Sequence, residues 1–261
     1  MIPFIESQQV GEHGTIHRKL DSNSSVLRSF RGLHGQVIEG VGEAIGAGRI
    51  PIGAQLVPES IAIESKTSRA LVREALRVLQ SKGLVIARPR TGTRVRPVSE
   101  WDLLDPDVIR WRAGGIESAK QLRELLDLRG AIEPLAARHA ARATTPAHLH
   151  KLQTAVDAMA VAVARSDWNA FTDADVEFHR GLLEAGGNQI VGQLAGPIES
   201  ALRVRHALNL IPHELTAGVV ASHQSIVDAI VDQDVLRSEL ASRRIVDVAG
   251  AEVISALLSR D

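Results

Sequence analysis

From residue 118 onward the chain repeats one pattern. Apolar residues recur at three- and four-residue spacing, and the pattern breaks at turn-forming clusters such as Thr144-Thr145-Pro146, Gly186-Gly187-Asn188 and Ile211-Pro212. The spacing predicts helices near 118–143, 146–165, 168–185, 188–209, 214–232 and 234–258, with almost no strand signal. Six amphipathic helices joined by short connections can bury their stripes only against one another, which implies an antiparallel helical bundle. No apolar run reaches the ~18 residues of a membrane-spanning helix, so an integral membrane protein is excluded. The absence of cysteine removes disulfides, thiolate metal sites and cysteine nucleophiles together.

The formal net charge of −1 conceals a division along the chain. Residues 31–98 hold 11 lysines and arginines against 5 carboxylates, whereas residues 99–261 hold 16 against 23. Only the first block suits a polyanion. Within it, Val37, Val41, Ala44 and Ile45 mark a helical face that ends at Gly48, Pro51 and Gly53, and a short helix follows at Glu59–Glu64. A third helix starts after Ser68, a good N-cap, with Leu71, Val72, Ala75, Leu76 and Leu79 on one face and Arg69, Arg73 and Arg77 on another. Leu84–Ala87 and Thr93–Arg96 then read as a two-stranded ribbon whose tip, Arg88-Pro89-Arg90-Thr91-Gly92, is basic. Three helices and a ribbon in this order give a winged helix-turn-helix, whose third helix enters the major groove of duplex DNA while the wing reaches the backbone or minor groove. Arginines at four-residue spacing can also be a solvated helix face, but that reading leaves the charge division and the basic tip as coincidences.

The stretch Ser68-Arg69-Ala70-Leu71-Val72-Arg73-Glu74-Ala75-Leu76-Arg77-Val78-Leu79, followed by Gly83-Leu84-Val85 and Thr91-Gly92-Thr93-Arg94-Val95, resembles the DNA-binding domain of the GntR transcriptional regulators. The resemblance implies DNA contacts by Ser68, Arg69, Arg73, Arg90, Thr91 and Gly92. Pro58-Glu59-Ser60-Ile61 is about two residues shorter than the family's usual approach to its second helix. Ser65 and Lys66 stand where the family prefers an apolar residue and a glycine, so the second helix is expected to be short or displaced.

The helical block places polar residues where a core should be apolar. Asp175 and His179 lie one turn apart on the stripe of Phe171, Phe178 and Leu182; His223 sits among Val219, Ile226 and Ile230; Arg129 sits among Leu122, Leu125, Ile132 and Ala136. Buried charge is costly unless paired, so these groups either satisfy one another or await a ligand. For Arg129 an ion pair with Glu133 or Asp127 is the plainer reading, and for the Asp/His pair a hydrogen bond. A carboxylate and an imidazole at i and i+4, joined by a second helix's imidazole, can equally bind a divalent ion.

The runs Leu128–Ala137, Asp175–His179 and His223–Ile230 resemble the effector-binding and oligomerisation domain of the FadR branch of the GntR regulators. By that resemblance Asp175, His179 and His223 match metal ligands, and Arg129 matches an arginine that pairs with an effector carboxylate. The last histidine of the usual set is missing; its position is Ile245, which cannot coordinate. Zinc is the first expectation, with nickel or manganese chemically acceptable. The segment Trp101–Trp111 resembles the linker of the galactonate-operon repressor subgroup, implying a sugar-acid effector such as galactonate.

The expected organisation is mainly α: a flexible N-terminal arm (1–30), a winged helix-turn-helix (31–98), a linker with a short helix at Asp105–Trp111 (99–117) and an all-helical effector-binding and dimerisation domain (118–261). The expected function is a cytoplasmic, homodimeric transcriptional repressor, not an enzyme, that binds double-stranded operator DNA and is released by a small carboxylate. Two alternatives stand beside it. One is a metal-dependent hydrolase using Asp175, His179 and His223, for which no further general base or nucleophile motif is found. The other is a nonspecific architectural DNA-binding protein, which leaves the polar residues of the helical block without a role.

Overall fold

The computed structural model describes residues 32–210 and 216–258, leaving the expected arm at 1–30 and the break at Ile211-Pro212 outside the described residues. The chain parts into two compact units, the described residues 32–45 with 50–101, and 46–49 with 102–258.

The first unit runs α1 (Gly32–Gly46), β1 (Gln55–Leu56), α2 (Pro58–Glu64), α3 (Arg69–Ser81), β2 (Val85–Arg88) and β3 (Gly92–Val95). Pro58 opens α2 where a missing N–H costs nothing. Ser68 caps α3, its Oγ accepting from the Leu71 N–H at 3.2 Å. Val72, Ala75, Leu76 and Leu79 turn inward together with Ile38, Ile45 and Leu84, so the amphipathic face read from the sequence is the core face. The sheet differs from the expected two-stranded ribbon: it has three antiparallel strands in the order β1-β3-β2. β1 escapes a periodicity search because it is two residues long between Gly53 and Pro58, yet it buries Leu56 against β3. The second helix is short, as the shortened sequence implies. Lys66 closes it with φ +50°, the left-handed region that explains why a glycine would suit this position.

The second unit comprises α4 (Pro106–Arg112), α5 (Ser118–Ala143), α6 (Pro146–Ala164), α7 (Trp168–Ala185), α8 (Gln189–Gly192), α9 (Ala195–Ala207), α10 (Ala217–Val231) and α11 (Val235–Leu258). α5 packs on α11 and α7, α6 on α7, and α10 on α11, around Ala136, Ala140, Leu152, Met159, Phe178, Leu182, Ile226 and Ile230. A smaller cluster of Ile109, Leu122, Leu125, Ala201 and Val204 seats α4. The single helix expected at 188–209 is two helices. Asn188 caps α8, Gly192 ends it, and Pro197 in the first turn of α9 would clash with the carbonyl four residues back in a continuous helix. No described helix is long and apolar enough to cross a membrane.

Candidate functional site

In the first unit Ser68, Arg69 and Arg73 lie exposed at the start of α3, and Arg90, Thr91 and Gly92 lie exposed at the tip between β2 and β3. The tip is a three-residue loop, 89–91, and both Arg90 (φ +68°) within it and Gly92 (φ +75°), the first residue of β3, are in the left-handed region. The φ of Gly92 favours glycine there; a Cβ would lie 3.0 Å from Gln55 Nε2, the end of an exposed side chain that can move aside. The arginines of α3 differ in their commitments. Arg77 pairs with Glu74 at 2.6 Å and Arg69 stands 3.6 Å from Glu59, whereas Arg73, Arg88 and Arg90 make no ion pair among the described residues.

In the second unit the four polar residues singled out from the sequence converge on one cavity of about 100 Å³. α5 supplies Arg129, α7 supplies Asp175 and His179 one turn apart, and α10 supplies His223. The Asp175 Oδ1 atom lies 3.2 Å from His223 Nε2 and 3.5 Å from His179 Nε2. Phe178 meets both imidazoles edge to face, holding their planes. Arg129 does not reach into the cavity as a free charge: its Nε donates to Glu133 Oε1 at 2.6 Å and its Nη2 to Oε2 at 3.4 Å, and Glu133 is fully buried. The ion-pair reading of Arg129 therefore holds, with Glu133 as the mate. Glu133 also faces His179 Nδ1 at 3.0 Å. It is the functional residue that sequence reasoning underrated, and its position one turn after Arg129 on the buried stripe is the signal that points to it.

The charges reinforce one another. Burial alone would raise the Glu133 carboxyl, but Arg129 and His179 carry it down to about 2. Burial is the largest single influence on the His179 imidazole and would depress it, and Arg129 works in the same direction, but Glu133 and Asp175 together lift the group to about 9. Asp175, also buried, is held well below the usual carboxylate range by the two imidazoles.

One atom from each of Asp175, His179 and His223 falls within 4.8 Å of the others. The His223 Nδ1–H donates to the Val219 carbonyl at 2.8 Å, and its Nε2, 3.2 Å from Asp175 Oδ1, is buried and without an aligned hydrogen-bond partner among the described residues. The Glu133 carboxylate lies behind His179, 3.0 Å from Nδ1 without an aligned hydrogen bond, while Nε2 faces Asp175 Oδ1 at 3.5 Å and Arg129 Nη2 at 3.3 Å. The donor set fits a divalent cation. Ile245 lines the same cavity and offers no ligand atom, so three protein ligands leave positions for water or ligand oxygens.

A basic winged helix-turn-helix followed by a helical bundle with a buried polar cavity is an organisation suited to a ligand-responsive DNA-binding regulator. Residues 33–95 match the gntR family of bacterial regulatory proteins and residues 124–248 match the FCD domain. The chain belongs to the GntR family, with a C-terminal FCD domain. It is 28% identical over 201 residues to the galactonate operon transcriptional repressor of Escherichia coli K12, covering 76% of this chain and 87% of that protein. It is 31% identical over 188 residues to the probable D-xylose utilization operon transcriptional repressor of Paenarthrobacter nicotinovorans, covering 71% and 73% respectively. In fold it is similar to a solved structure of Lar, described as controlling the Listeria monocytogenes agr system, at 15% identity and a TM-score of 0.63 over 87% of this chain and 99% of that one. Its family is one of transcriptional regulators, which sets aside both the hydrolase and the architectural reading.

Proposed function

We propose that this chain is a repressor of a sugar-acid catabolic operon, released from its operator when a carboxylate effector of the galactonate kind enters the cavity of the second unit. The observation that carries the reading is the convergence of Asp175, His179 and His223 on a cavity in a chain whose other unit presents Arg73 and Arg90 without an ion pair among the described residues. Residues 31–98 read double-stranded operator DNA through Ser68, Arg69, Arg73, Arg90, Thr91 and Gly92, in the cytoplasm. Residues 118–261 bind the effector and supply the contacts of a homodimer, which matches an operator of two half-sites. The likeness to galactonate- and xylose-operon repressors supports a sugar-derived effector.

Asp175, His179 and His223 would hold the metal, zinc first, with nickel or manganese as substitutes; when bound, it supplies Lewis-acid positions for effector oxygens. Arg129 adds N–H donors at the cavity wall, its charge already matched by Glu133. For effector to lower operator affinity, it must bind the released state more tightly than the DNA-bound state.

The test is fluorescence anisotropy on DNA from the protein's own promoter, with and without galactonate, before and after chelation. Galactonate is expected to weaken operator binding, and Asp175→Asn, which keeps the volume but removes the charge, is expected to reduce the ratio of the two affinities. Asp175→Asn is preferred to Arg129→Ala, which would take one of two cationic mates from the fully buried Glu133 and so perturb folding together with effector binding. Specific operator binding that no sugar acid alters would overturn the effector assignment; the lack of any sequence-specific binding would overturn the reading of the first unit.

A further inference from the structure

Among the described residues the cavity's charges match one for one, with a single exception. Arg129 is neutralised by Glu133, His179 faces Asp175, and Arg205 is paired with Glu252. Arg244, on α11, lines the same cavity from an exposed position and makes no ion pair or hydrogen bond with any described residue. It also borders the adjacent depression formed with Ser225, Arg237 and Leu240, which places it at the rim rather than in the floor.

The neutral polar groups carry a second message. Thr172 Oγ1 donates to the Trp168 carbonyl at 2.8 Å and Ser222 Oγ donates to the Gly218 carbonyl at 2.9 Å, so both cavity-lining hydroxyls have spent their protons and retain only acceptor lone pairs. His206 Nε2 lies 3.2 Å from Asn169 Oδ1; with that nitrogen donating, the buried, unpartnered Nδ1 is an acceptor as well. A cavity with acceptors to fill and, among the described residues, one unmatched cation suits a ligand rich in O–H donors and bearing negative charge.

Building on the sensor reading above, we propose that Arg244 is the residue that selects an anionic ligand, while Thr172, Ser222 and His206 accept hydrogen bonds from the ligand's hydroxyl groups. Arg129 then shapes the wall without contributing net charge. A fatty acid would leave the three acceptors unpaired, and a neutral polyol would leave Arg244 without its partner.

The experiment is isothermal titration calorimetry of the full chain, zinc-loaded, with galactonate, with galactitol (the neutral polyol of the same length) and with hexanoate (the same charge without hydroxyls). The wild-type chain is expected to prefer galactonate over both. Arg244→Gln is expected to shrink the galactonate-to-galactitol preference by about tenfold or more, the size of a lost charge-assisted hydrogen bond. Arg243→Gln, an exposed neighbour that lines neither depression, is expected to leave the preference unchanged. The assignment is overturned if Arg244→Gln keeps the wild-type preference, or if Arg243→Gln loses as much of it. If the wild-type chain binds neither galactonate nor gluconate nor xylonate, the sensor reading itself fails and this assignment falls with it.

Discussion

A single buried carboxylate, Glu133, decides how the cavity behaves with pH. In the metal-free protein it holds Arg129 on one side and His179 on the other, and all three are nearly inaccessible to water. Because His179 is raised from 6.5 to about 9, its contribution to stability is complete below pH 6.5 and is lost as the pH climbs through 9. Glu133, lowered from 4.5 to about 2, contributes above pH 4.5 and loses that contribution as the pH falls toward 2. Urea midpoints measured with chelator are therefore expected to be highest between about pH 4.5 and 6.5 and to decline toward pH 9; a flat profile over that upper range would contradict the pairing. If His179 holds zinc as proposed, the ion would displace the imidazole proton, so zinc affinity is expected to rise across the same range. Asp175, His179 and His223 were legible in the sequence because each is a polar residue on an otherwise apolar stripe. Glu133 was visible only as an alternative mate for Arg129, and Arg244 gave no signal, since an arginine on the outer side of an amphipathic helix breaks no pattern.

The helices of both units end in a common way. The residue after the C-cap enters the left-handed region at Lys66, Gly83, Ser166, Gly187, Asn209 and Gln233. At most of these ends the following N–H reaches back to a carbonyl five residues earlier, as from Asp167 to Ala162 and from Asp234 to Ala229. Only the glycines announce such an end in a sequence. A left-handed conformation costs a residue with a Cβ about 1–2 kcal/mol, and the exposed Ser166 forms no side-chain hydrogen bond with a described residue. Ser166→Gly is expected to stabilise the second unit by about 1 kcal/mol, read calorimetrically as a rise of about 2–4 °C in Tm. An unchanged or lower Tm would mean that the added backbone freedom of the unfolded chain outweighs the relieved strain. The bundle's long helices were legible because their periodicity persists over several turns. Two features were not: β1, whose two residues have no period, and the break before α9, where Gly192 and Pro197 outweigh a continuous apolar stripe.

Across the whole molecule, charge is divided between two jobs. The chain is nearly neutral, yet 11 of its 30 cationic side chains fall within residues 31–98 with only 5 carboxylates beside them. Binding to DNA through such a surface releases counterions, so operator affinity is expected to fall with salt on a log–log plot. Arg90→Ala, at the wing tip, is expected to weaken binding to all sequences alike and reduce that slope by about 1, whereas Arg73→Ala on α3 is expected to relax sequence preference. Salt titrations on operator and scrambled DNA separate the two, and an Arg90→Ala slope equal to wild type would remove the wing from the interface. The cavity in the other half of the chain has a different kind of consequence. Its carboxylates have cationic mates within the bundle itself, so the bundle is expected to fold without an ion. Under the proposed reading the socket is then preorganised: the free energy of coordination would not be consumed in building the site, and would remain available to discriminate one ion, and one ligand, from another.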